Sequence, residues 1–420
     1  MCASRRGACP SELSAVSGVK QSFLLPSKGK TDETSVLYPC SVDPTSFVDH
    51  SMGRPIKTPG RHGFYAYHPA PLPRSLPLDE PTVKLLSDAD NALGRLAGAG
   101  RLLRNPHLLV TPYILKEAVA SSRIEGTQAS ISDVFDASAV GGEASEPVRE
   151  VQNYVAAMNE GLRLLQTLPP SLRLVRRIHD VLLTDVRGSE RMPSEFRATP
   201  NWIGSPDDRP DTAVFVPPPT DVMTTALSDW ERFIHEDMAM PELVRCALIH
   251  YQFETIHPFL DGNGRVGRLL IVFYLVWRGR LPHPLLYVSS FFEVHRSDYY
   301  NYLQAVRERG AIQDWLRFFL TAVEEQAIDA VVRAERLADV REDYRGRLAG
   351  SRSRAHEIID VLFENPYITV RGVMDRLGVT QPGAANLVRQ LEGAGILSSI
   401  APAKFGRGRW VAHAILDVIG

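Results

Sequence analysis

Apolar residues recur at helical spacing along most of this chain, and this pattern limits its fold more than any other feature. From about residue 82 onward the apolar positions return every three or four residues, as Val83 and Leu86 do. Strand patterns are scarce. The clearest is Ala213–Val216, which ends at Pro217 and pairs in our prediction with Asn201–Gly204. We therefore predict a mainly α fold with one small β-hairpin.

Length and composition point to a multi-domain globular protein. The 420 residues correspond to two or three domains, and hydrophobic residues make up 44% of them. A net charge of −2 gives no chain-wide attraction to nucleic acid or membrane. The four cysteines form no CxxC pair, so we expect a reducing, cytoplasmic location. The longest apolar run, 269–277, is too short for a membrane helix and is predicted to be buried.

Changes in composition divide the chain into three parts. Residues 1–60 are predicted to form a poorly structured extension, because small and polar residues dominate and no apolar period persists. Residues 61–345 form the helical region, with an N-terminal part to residue 150 and a core from 151. Residues 351–420 predict three helices followed by a β-hairpin, which is the pattern of a winged helix-turn-helix.

A helix predicted at 112–126 carries an unusual end. Thr111 suits the N-cap, Pro112 the first helical position and Gly126 the stop. Ser121 and Glu125 lie four apart and share a face. A carboxylate at a helix C-terminus opposes the helix dipole, so either Glu125 is a solvated surface residue or it has a partner elsewhere.

The densest polar cluster, residues 257–268, lies between two apolar helical segments. Gly262 and Gly264 permit backbone angles that turn N–H groups into a concave nest at the start of the second helix. The N-terminus of a helix binds anions, and phosphates above all. Arg265 and Arg268 are three apart, so both can reach phosphate oxygens from one face.

The same cluster contains a metal-type ligand and a base. Asp261 offers a hard oxygen suited to Mg²⁺ held jointly with phosphates. His257 can accept a proton from an incoming hydroxyl. Each residue alone would fit a scaffold, but so many polar groups would be unfavourable to bury without a ligand. The cluster indicates phosphoryl or nucleotidyl transfer.

Two other nucleotide motifs are excluded. Gly262, Gly264 and Gly267 match the GxGxxG pattern of dinucleotide-binding folds. That pattern needs a preceding strand and an acidic residue about twenty positions later. The preceding segment has helical spacing, and no Asp or Glu occurs between Arg268 and Val288. A P-loop sequence is absent as well.

The run from His257 to Arg268 resembles the complete signature of Fic-domain proteins, HxFx[DE]GNGRxxR. The resemblance implies a Fic-type helical core that transfers AMP from ATP to a Tyr, Ser or Thr hydroxyl of a target protein and of itself. It also implies roles for the motif residues. These are His257 as general base, Asp261 as Mg²⁺ ligand, Gly262, Asn263, Gly264 and Arg265 as α- and β-phosphate ligands, and Arg268 as γ-phosphate ligand.

The segment from Ser121 to Gly126 is similar to the inhibitory motif [ST]xxxE[GN] of the same family. The resemblance implies that Glu125 pairs with Arg268, occupies the γ-phosphate position and inhibits transfer. It leaves two other reactions of the same site open. One is removal of AMP with Glu125 positioning a water, and the other is transfer from a different nucleotide-like donor.

Two further groups are assigned by the resemblance. The predicted hairpin is similar to the family's flap, which binds a target segment by strand addition through Ile203, Gly204, Phe215 and Val216. The alternative is a surface hairpin whose edge is protected by prolines. Tyr299 and Tyr300 are candidates for an adenine pocket, although aromatic residues at helical spacing also fit a core.

The C-terminal part allows two interpretations. In residues 351–420, eight Lys and Arg stand against six Asp and Glu, a net of +2. This is a weak basic surface for DNA binding, so protein contact or a homodimer is favoured over DNA. The alternative function for the chain is a DNA-binding regulator that uses this domain.

Overall fold

The computed structural model describes residues 43–59, 63–102, 107–141, 143–204, 209–401 and 408–420. The described residues are mainly helical, as the apolar spacing predicts, and their strands are short. The helices up to the C-terminal domain are α1 (Glu80–Leu102), α2 (His107–Ile124), α3 (Ile131–Val140), α4 (Glu146–Leu164), α5 (Leu172–Leu182), α6 (Thr220–His235), α7 (Glu242–Ile256), α8 (Asn263–Trp277), α9 (Ser289–Val294), α10 (Arg296–Arg309) and α11 (Ile312–Arg347).

Helices α7 and α8 form the centre of the core. From Leu243 to Ile256 every residue of α7 is buried, as is the apolar run of α8 from Leu269 to Leu275. Two tryptophans link α6 and α11 to α7 by hydrogen bonds. The indole N–H of Trp230 donates to the carbonyl of Ile249 over 2.9 Å, and that of Trp315 donates to the carbonyl of Ala247 over 3.0 Å. The loop between α7 and α8 therefore projects from a rigid base. Among the described residues, no helix is long and apolar enough to span a membrane.

The first strand of a two-stranded sheet lies inside the segment 1–60 that the sequence assigns to a poorly structured extension. Strand β1 (Gly53–Lys57) pairs antiparallel with β2 (Tyr65–Pro69). Gly53 has a φ of 138°, and a Cβ there would lie 2.5 Å from the His68 carbonyl oxygen, so this end of the sheet requires glycine. The ordered chain thus extends further toward the N-terminus than the boundary at residue 60. Residues 1–42 lie outside the described part.

Helix α2 begins earlier than predicted. The sequence places its N-cap at Thr111, whereas the helix starts at His107 and includes Pro112. A proline inside a helix removes one hydrogen bond. Burial of the residues that follow outweighs this loss: Tyr113 and Ile114 are each 4% exposed, and the Tyr113 hydroxyl donates to the Ala330 carbonyl over 2.7 Å. Tertiary packing has overridden the local start pattern.

The C-terminal domain contains the predicted three helices and hairpin together with one more strand. Its elements are α12 (Ala355–Glu364), β3 (Tyr367–Thr369), α13 (Val370–Leu377), α14 (Gln381–Gly393), β4 (Ser398–Ala401), β5 (Arg409–Val411) and α15 (His413–Ile419). The strands form an antiparallel sheet in the order β3-β5-β4. The turn between β4 and β5, residues 402–407, lies outside the described part. Helix α15, which the sequence analysis missed, packs back on α2 and α11.

Candidate active site

The backbone of His257 is held in an uncommon conformation. At the end of α7 this residue adopts φ 49° and ψ 61°, the left-handed region that non-glycine residues rarely occupy. The buried guanidinium of Arg197 stabilises it, donating to the carbonyls of His257 over 3.0 Å and Pro218 over 2.6 Å. Burial lowers the pKa of Arg197 to about 10. No local sequence pattern identifies Arg197 as a support of this residue.

Asn263 fixes the shape of the motif loop. Its side-chain oxygen accepts from the backbone N–H of Phe259 over 2.8 Å, and its amide donates to the Phe259 carbonyl over 2.8 Å. The Phe259 ring stacks on His179 with centroids 3.7 Å apart. Both polar atoms of the Asn263 side chain are therefore engaged in the loop. Only its backbone N–H, at the first residue of α8, could bind a phosphate.

His179 is a second support that the sequence analysis missed. Its Nε2 lies 3.0 Å from the Asp261 carbonyl oxygen, and its Nδ1 accepts from the backbone N–H of Ser194 over 3.0 Å. These partners define a neutral ring with the proton on Nε2. Burial lowers the pKa of His179 to about 4, in agreement with that state. Because α5 is far from the motif in sequence, no local pattern identifies this residue.

At the N-terminus of α8, where the sequence predicts an anion nest, Gly262 alone has a left-handed backbone and Gly264 lies in the first turn of the helix. Gly262 has a φ of 76°, and Asp261 Oδ1 accepts from its N–H over 2.6 Å. A Cβ on Gly264 would lie 2.3 Å from Glu125 Oε1. The space directly over Gly264 is thus shaped for an anionic oxygen, and in this structure a carboxylate oxygen of Glu125 lies there.

Arg268 is fully buried and faces the residues of the inhibitory motif. Its Nε donates to Ser121 Oγ over 2.8 Å, and its Nη2 donates to Glu125 Oε1 over 2.7 Å and to the Ser121 carbonyl over 3.0 Å. Burial alone would raise the pKa of Glu125, but the charge and the hydrogen bond of Arg268, together with the charge of Arg265, outweigh burial, and the pKa lies below its ordinary value. Glu125 is therefore ionised at neutral pH, and its side chain is 30% exposed.

Arg265 has a different environment, although it is only three residues away. It is 1% exposed, and its charge is balanced by Asp261 at 3.4 Å and by Glu150 of α4 at 3.9 Å. Its Nε and Nη1 have no hydrogen-bond partner within the described part of the chain. Both nitrogens are buried, so part of the hydrogen-bonding capacity of this guanidinium is unused by the described residues. The sequence analysis did not identify Glu150 as part of the site.

His257 is neutral and has one nitrogen free. Burial, followed by the charge of Arg197, lowers the pKa of His257 to about 4. Its Nδ1 lies 3.4 Å from the carbonyl oxygen of Glu254, which can only accept, so the proton belongs on Nδ1. This leaves Nε2 as the proton acceptor.

The two tyrosines occupy different positions. Tyr299 is 1% exposed, and its hydroxyl bonds to His250 Nε2 over 2.9 Å, while His250 Nδ1 donates to the Gly267 carbonyl over 3.0 Å. Tyr299 therefore supports α8 from within the core. Tyr300 is 38% exposed. Burial, followed by the charge of Glu125, raises the pKa of its hydroxyl to about 12, while the charge of Arg268 acts against this shift. Only Tyr300 has the exposure that an adenine contact needs.

The flap candidate is a single antiparallel bridge. The N–H of Ile203 donates to the Phe215 carbonyl over 2.8 Å, and the reverse bond measures 3.2 Å. Phe215 and Val216 are each 1% exposed, and the Val216 carbonyl accepts from Tyr67 of β2 over 2.9 Å. Their side chains face inward, so a target segment would have to use the exposed side near Gly204. Residues 205–208 lie outside the described part.

A magnesium site would depend on Asp261. Within the described ranges no three acidic, histidine or cysteine side chains gather to enclose a metal. Asp261 nevertheless fits Mg²⁺, because its side chain is 32% exposed beside the nest and presents a hard oxygen. Mg²⁺ is commonly held by one or two carboxylates together with substrate phosphates.

Two sequence comparisons agree with this geometry. The Fic/DOC family N-terminal profile matches residues 83–163, and the Fic/DOC family profile matches residues 169–275. The chain is 27% identical over 255 residues to Protein adenylyltransferase Fic of Drosophila grimshawi, covering 59% of this chain and 48% of that protein. It is 31% identical over 132 residues to the protein of the same name from Culex quinquefasciatus, covering 31% and 23%. The matched region spans less than half of each relative.

The fold has a counterpart among solved structures. A Fic family protein from Desulfovibrio desulfuricans is 19% identical, with a TM-score of 0.52 over 80% of this chain and 97% of that one. This likeness concerns the fold alone. The two adjacent family matches, which include the whole loop that holds His257, show that residues 83–163 and 169–275 of this chain are Fic/DOC family regions.

Proposed function

We propose that this chain is a protein adenylyltransferase that transfers AMP from ATP to a hydroxyl group of a target protein. The observation that carries the proposal is the neutral base His257 beside an anion nest at the start of α8. Arg265 also supports the proposal, because its Nε and Nη1 have no hydrogen-bond partner within the described residues and are donors for phosphate oxygens. The names of the relatives point to the same reaction.

The proposed chemistry consists of one proton transfer and one exchange of oxygen–phosphorus bonds. Nε2 of His257 accepts the proton of a target Tyr, Ser or Thr hydroxyl as its oxygen attacks the α-phosphorus. The new oxygen–phosphorus bond forms while the bond to the β-phosphate bridging oxygen breaks, and pyrophosphate leaves. The nest N–H groups and Arg265 neutralise the charge on the phosphates. Asp261 would hold Mg²⁺, which supplies further charge neutralisation at the phosphates when bound.

Autoinhibition by Glu125 is part of the proposal. An ionised carboxylate over Gly264, bonded to Arg268, competes with a phosphate for the same positive site. A nucleotide would then meet Arg265, whose buried Nε and Nη1 make no hydrogen bond to a described residue, whereas the Nε and Nη2 of Arg268 are already engaged. The expected result is a bound nucleotide whose terminal phosphate is displaced, in a pose unsuited to transfer.

We propose that the C-terminal domain steadies the inhibitory segment, which favours protein contact over DNA binding. Helix α12 packs on α2, and Lys116 of α2 donates to the Ile419 carbonyl of α15 over 3.4 Å. Beyond Glu125, Arg409 of β5 forms an ion pair with Asp136 of α3. The domain thus contacts the chain on both sides of Glu125, so a partner that displaces it would release the inhibition.

The test is mass spectrometry of the purified full chain after incubation with ATP and Mg²⁺. The Glu125→Gly variant is expected to gain the mass of AMP, and the Glu125→Gly/His257→Ala double variant is not. The same proteins, incubated with labelled ATP and a lysate, report transfer to other targets. No AMP on the chain or on any lysate protein with Glu125→Gly would refute the proposal.

A further inference from the structure

The turn that follows Glu125 is attached to α4 by a side-chain contact that the proposed chemistry does not use. Thr127 lies two residues beyond Glu125 and is 6% exposed. Its Oγ1 donates a hydrogen bond to Oε2 of Glu150, a buried residue of α4. The bond therefore holds the chain directly after the inhibitory carboxylate.

The carboxylate that accepts this bond also faces the phosphate site. Oε2 of Glu150, the oxygen bonded by Thr127, lies 3.9 Å from Nη1 of Arg265, and Oε1 lies 3.8 Å from Nε of Arg187. The two guanidinium groups provide the counter-charges that a buried carboxylate needs. The acceptor for Thr127 is thus fixed against α8, the helix whose first turn Glu125 covers.

A second buried contact attaches α2 to the same face of α4. Glu117, in the middle of α2, accepts from the hydroxyl of Tyr154 over 3.1 Å and from the backbone N–H of Ser289 over 3.1 Å. Glu150 and Tyr154 are four residues apart in α4 and therefore share a face. Because Glu117 fixes the middle of α2, loss of the Thr127 bond would free only the C-terminal end of the helix, which carries the inhibitory carboxylate.

We propose that Thr127 and Glu150 are positioning residues for inhibition, because the hydrogen bond between them holds Glu125 over Gly264. This inference rests on the proposed function. While the bond is made, the end of α2 is fixed to α4 and Glu125 remains paired with Arg268. When the bond is broken, the turn moves without disturbing the rest of α2, and the carboxylate leaves the site more often.

Two substitutions at position 127 separate positioning from general packing. Thr127→Val keeps the shape of the side chain but removes the donor, whereas Thr127→Ser keeps the donor. The backbone N–H of residue 127, which donates to the Ser122 carbonyl over 3.1 Å, is present in both variants, so the turn itself is retained. Thr225→Val, at an exposed position of α6, is the matched control.

The first measurement needs no nucleotide. Hydrogen exchange of the full chain is followed by mass spectrometry in the segments 113–120 and 121–127. Thr127→Val is expected to speed exchange about five- to tenfold in 121–127 and to leave 113–120 unchanged, because the Glu117 contacts remain. Thr127→Ser and Thr225→Val should match the intact chain. Exchange that rises equally in both segments, or in neither, would overturn the proposal.

The second measurement is the rate of AMP transfer from labelled ATP with Mg²⁺. With Glu125 present, Thr127→Val is expected to raise the rate about five- to tenfold, and Thr127→Ser is expected to keep the inhibited rate. In the Glu125→Gly background the same valine substitution should change nothing, because the group that Thr127 positions is absent. A loss of general packing would not depend on Glu125 in this way. An equal effect of Thr127→Val in both backgrounds would therefore reject the positioning role.

Glu150→Ala tests the acceptor of the bond. If Thr127 acts through this carboxylate, adding Thr127→Val to Glu150→Ala gives no further increase in exchange at 121–127. Additive increases would show that Thr127 acts through another group and would reject the assignment of Glu150. If Glu150→Ala does not fold, the comparison of Thr127→Val with Thr127→Ser decides alone.

The outcomes separate this inference from the proposed function. Faster exchange in Thr127→Val, in a chain that transfers no AMP even as Glu125→Gly, would support the attachment of α2 to α4 and reject the transferase. AMP transfer by Glu125→Gly, with no effect of Thr127→Val on exchange or rate, would support the transferase and reject the role of Thr127.

Discussion

Replacing Glu125 by glycine is the most direct test of autoinhibition. The substitution removes the carboxylate from the space over Gly264 and breaks the 2.7 Å bond to Arg268. The two bonds from Arg268 to Ser121 remain, so the arginine keeps its position. The nest is then open to the terminal phosphate of ATP.

The size of the expected rate increase follows from the loss of the hydrogen bond between Glu125 and Arg268. A hydrogen bond between charged groups contributes about 1.5–3 kcal/mol, and each 1.4 kcal/mol is about tenfold. Because the Glu125 side chain is 30% exposed, solvent screening favours the lower part of that range. Without this bond, the state in which Glu125 occupies the site is destabilised by about 1.5–2 kcal/mol. The rate of AMP transfer is therefore expected to rise about 10- to 30-fold.

The assay measures incorporation of α-labelled ATP under initial-rate conditions, with circular dichroism to check the fold. Glu125→Gln, which keeps the size but removes the charge, is expected to give an intermediate rate. Glu143→Gly, at a side chain 91% exposed near the start of α4, is the control and should match the intact chain. Equal rates for Glu125→Gly and the intact chain would refute the reasoning, provided that both bind ATP.

Three other changes have defined outcomes. Asn263→Ala leaves the buried Phe259 N–H unpaired and should lower the free energy of unfolding by about 1–3 kcal/mol in denaturant titrations with unchanged slope. Since the pKa of His257 is lowered to about 4, the base is free above that pH. The rate for Glu125→Gly should stay level from pH 8 to 5 and fall as His257 takes up a proton near pH 4. Deleting residues 413–420 should increase hydrogen exchange at Ser121–Gly126 and raise AMP transfer, whereas unchanged exchange there would contradict the proposed support of α2.

The sequence predicts those features that local patterns determine. The two helices α7 and α8 follow from their apolar spacing, and the left-handed turn between them follows from Gly262, because backbone freedom is a property of single residues. Strand β1 was missed because Pro55 and its charged neighbours show no apolar alternation. Pro112 was misread as a helix start because the burial that extends α2 is a tertiary effect.

The supports of the site were hidden for a different reason. Arg197 and His179 act on carbonyl groups of the motif loop, and a side chain that binds a carbonyl needs no matching charge in the sequence. Charge pairing does connect Glu125 with Arg268, but across 143 residues. Only the family resemblance, and not spacing, linked those two positions.

The two motif arginines illustrate how burial assigns separate tasks to neighbouring residues. Arg268 has its Nε and Nη2 engaged by the inhibitory segment, whereas Arg265 has two nitrogens without a hydrogen bond to any described residue. Unmade hydrogen bonds of a buried guanidinium are unfavourable, so they mark where ligand oxygens stabilise the chain. Hydrogen bonds that are already made, such as those of Arg268 to Ser121 and Glu125, mark where a ligand must compete with groups of the protein. In the proposed inhibited state, Arg265 has unmade hydrogen bonds for the inner phosphates, whereas Arg268 is already engaged where the outer phosphate would bind, so that inhibition would act on the pose of the nucleotide more than on its entry.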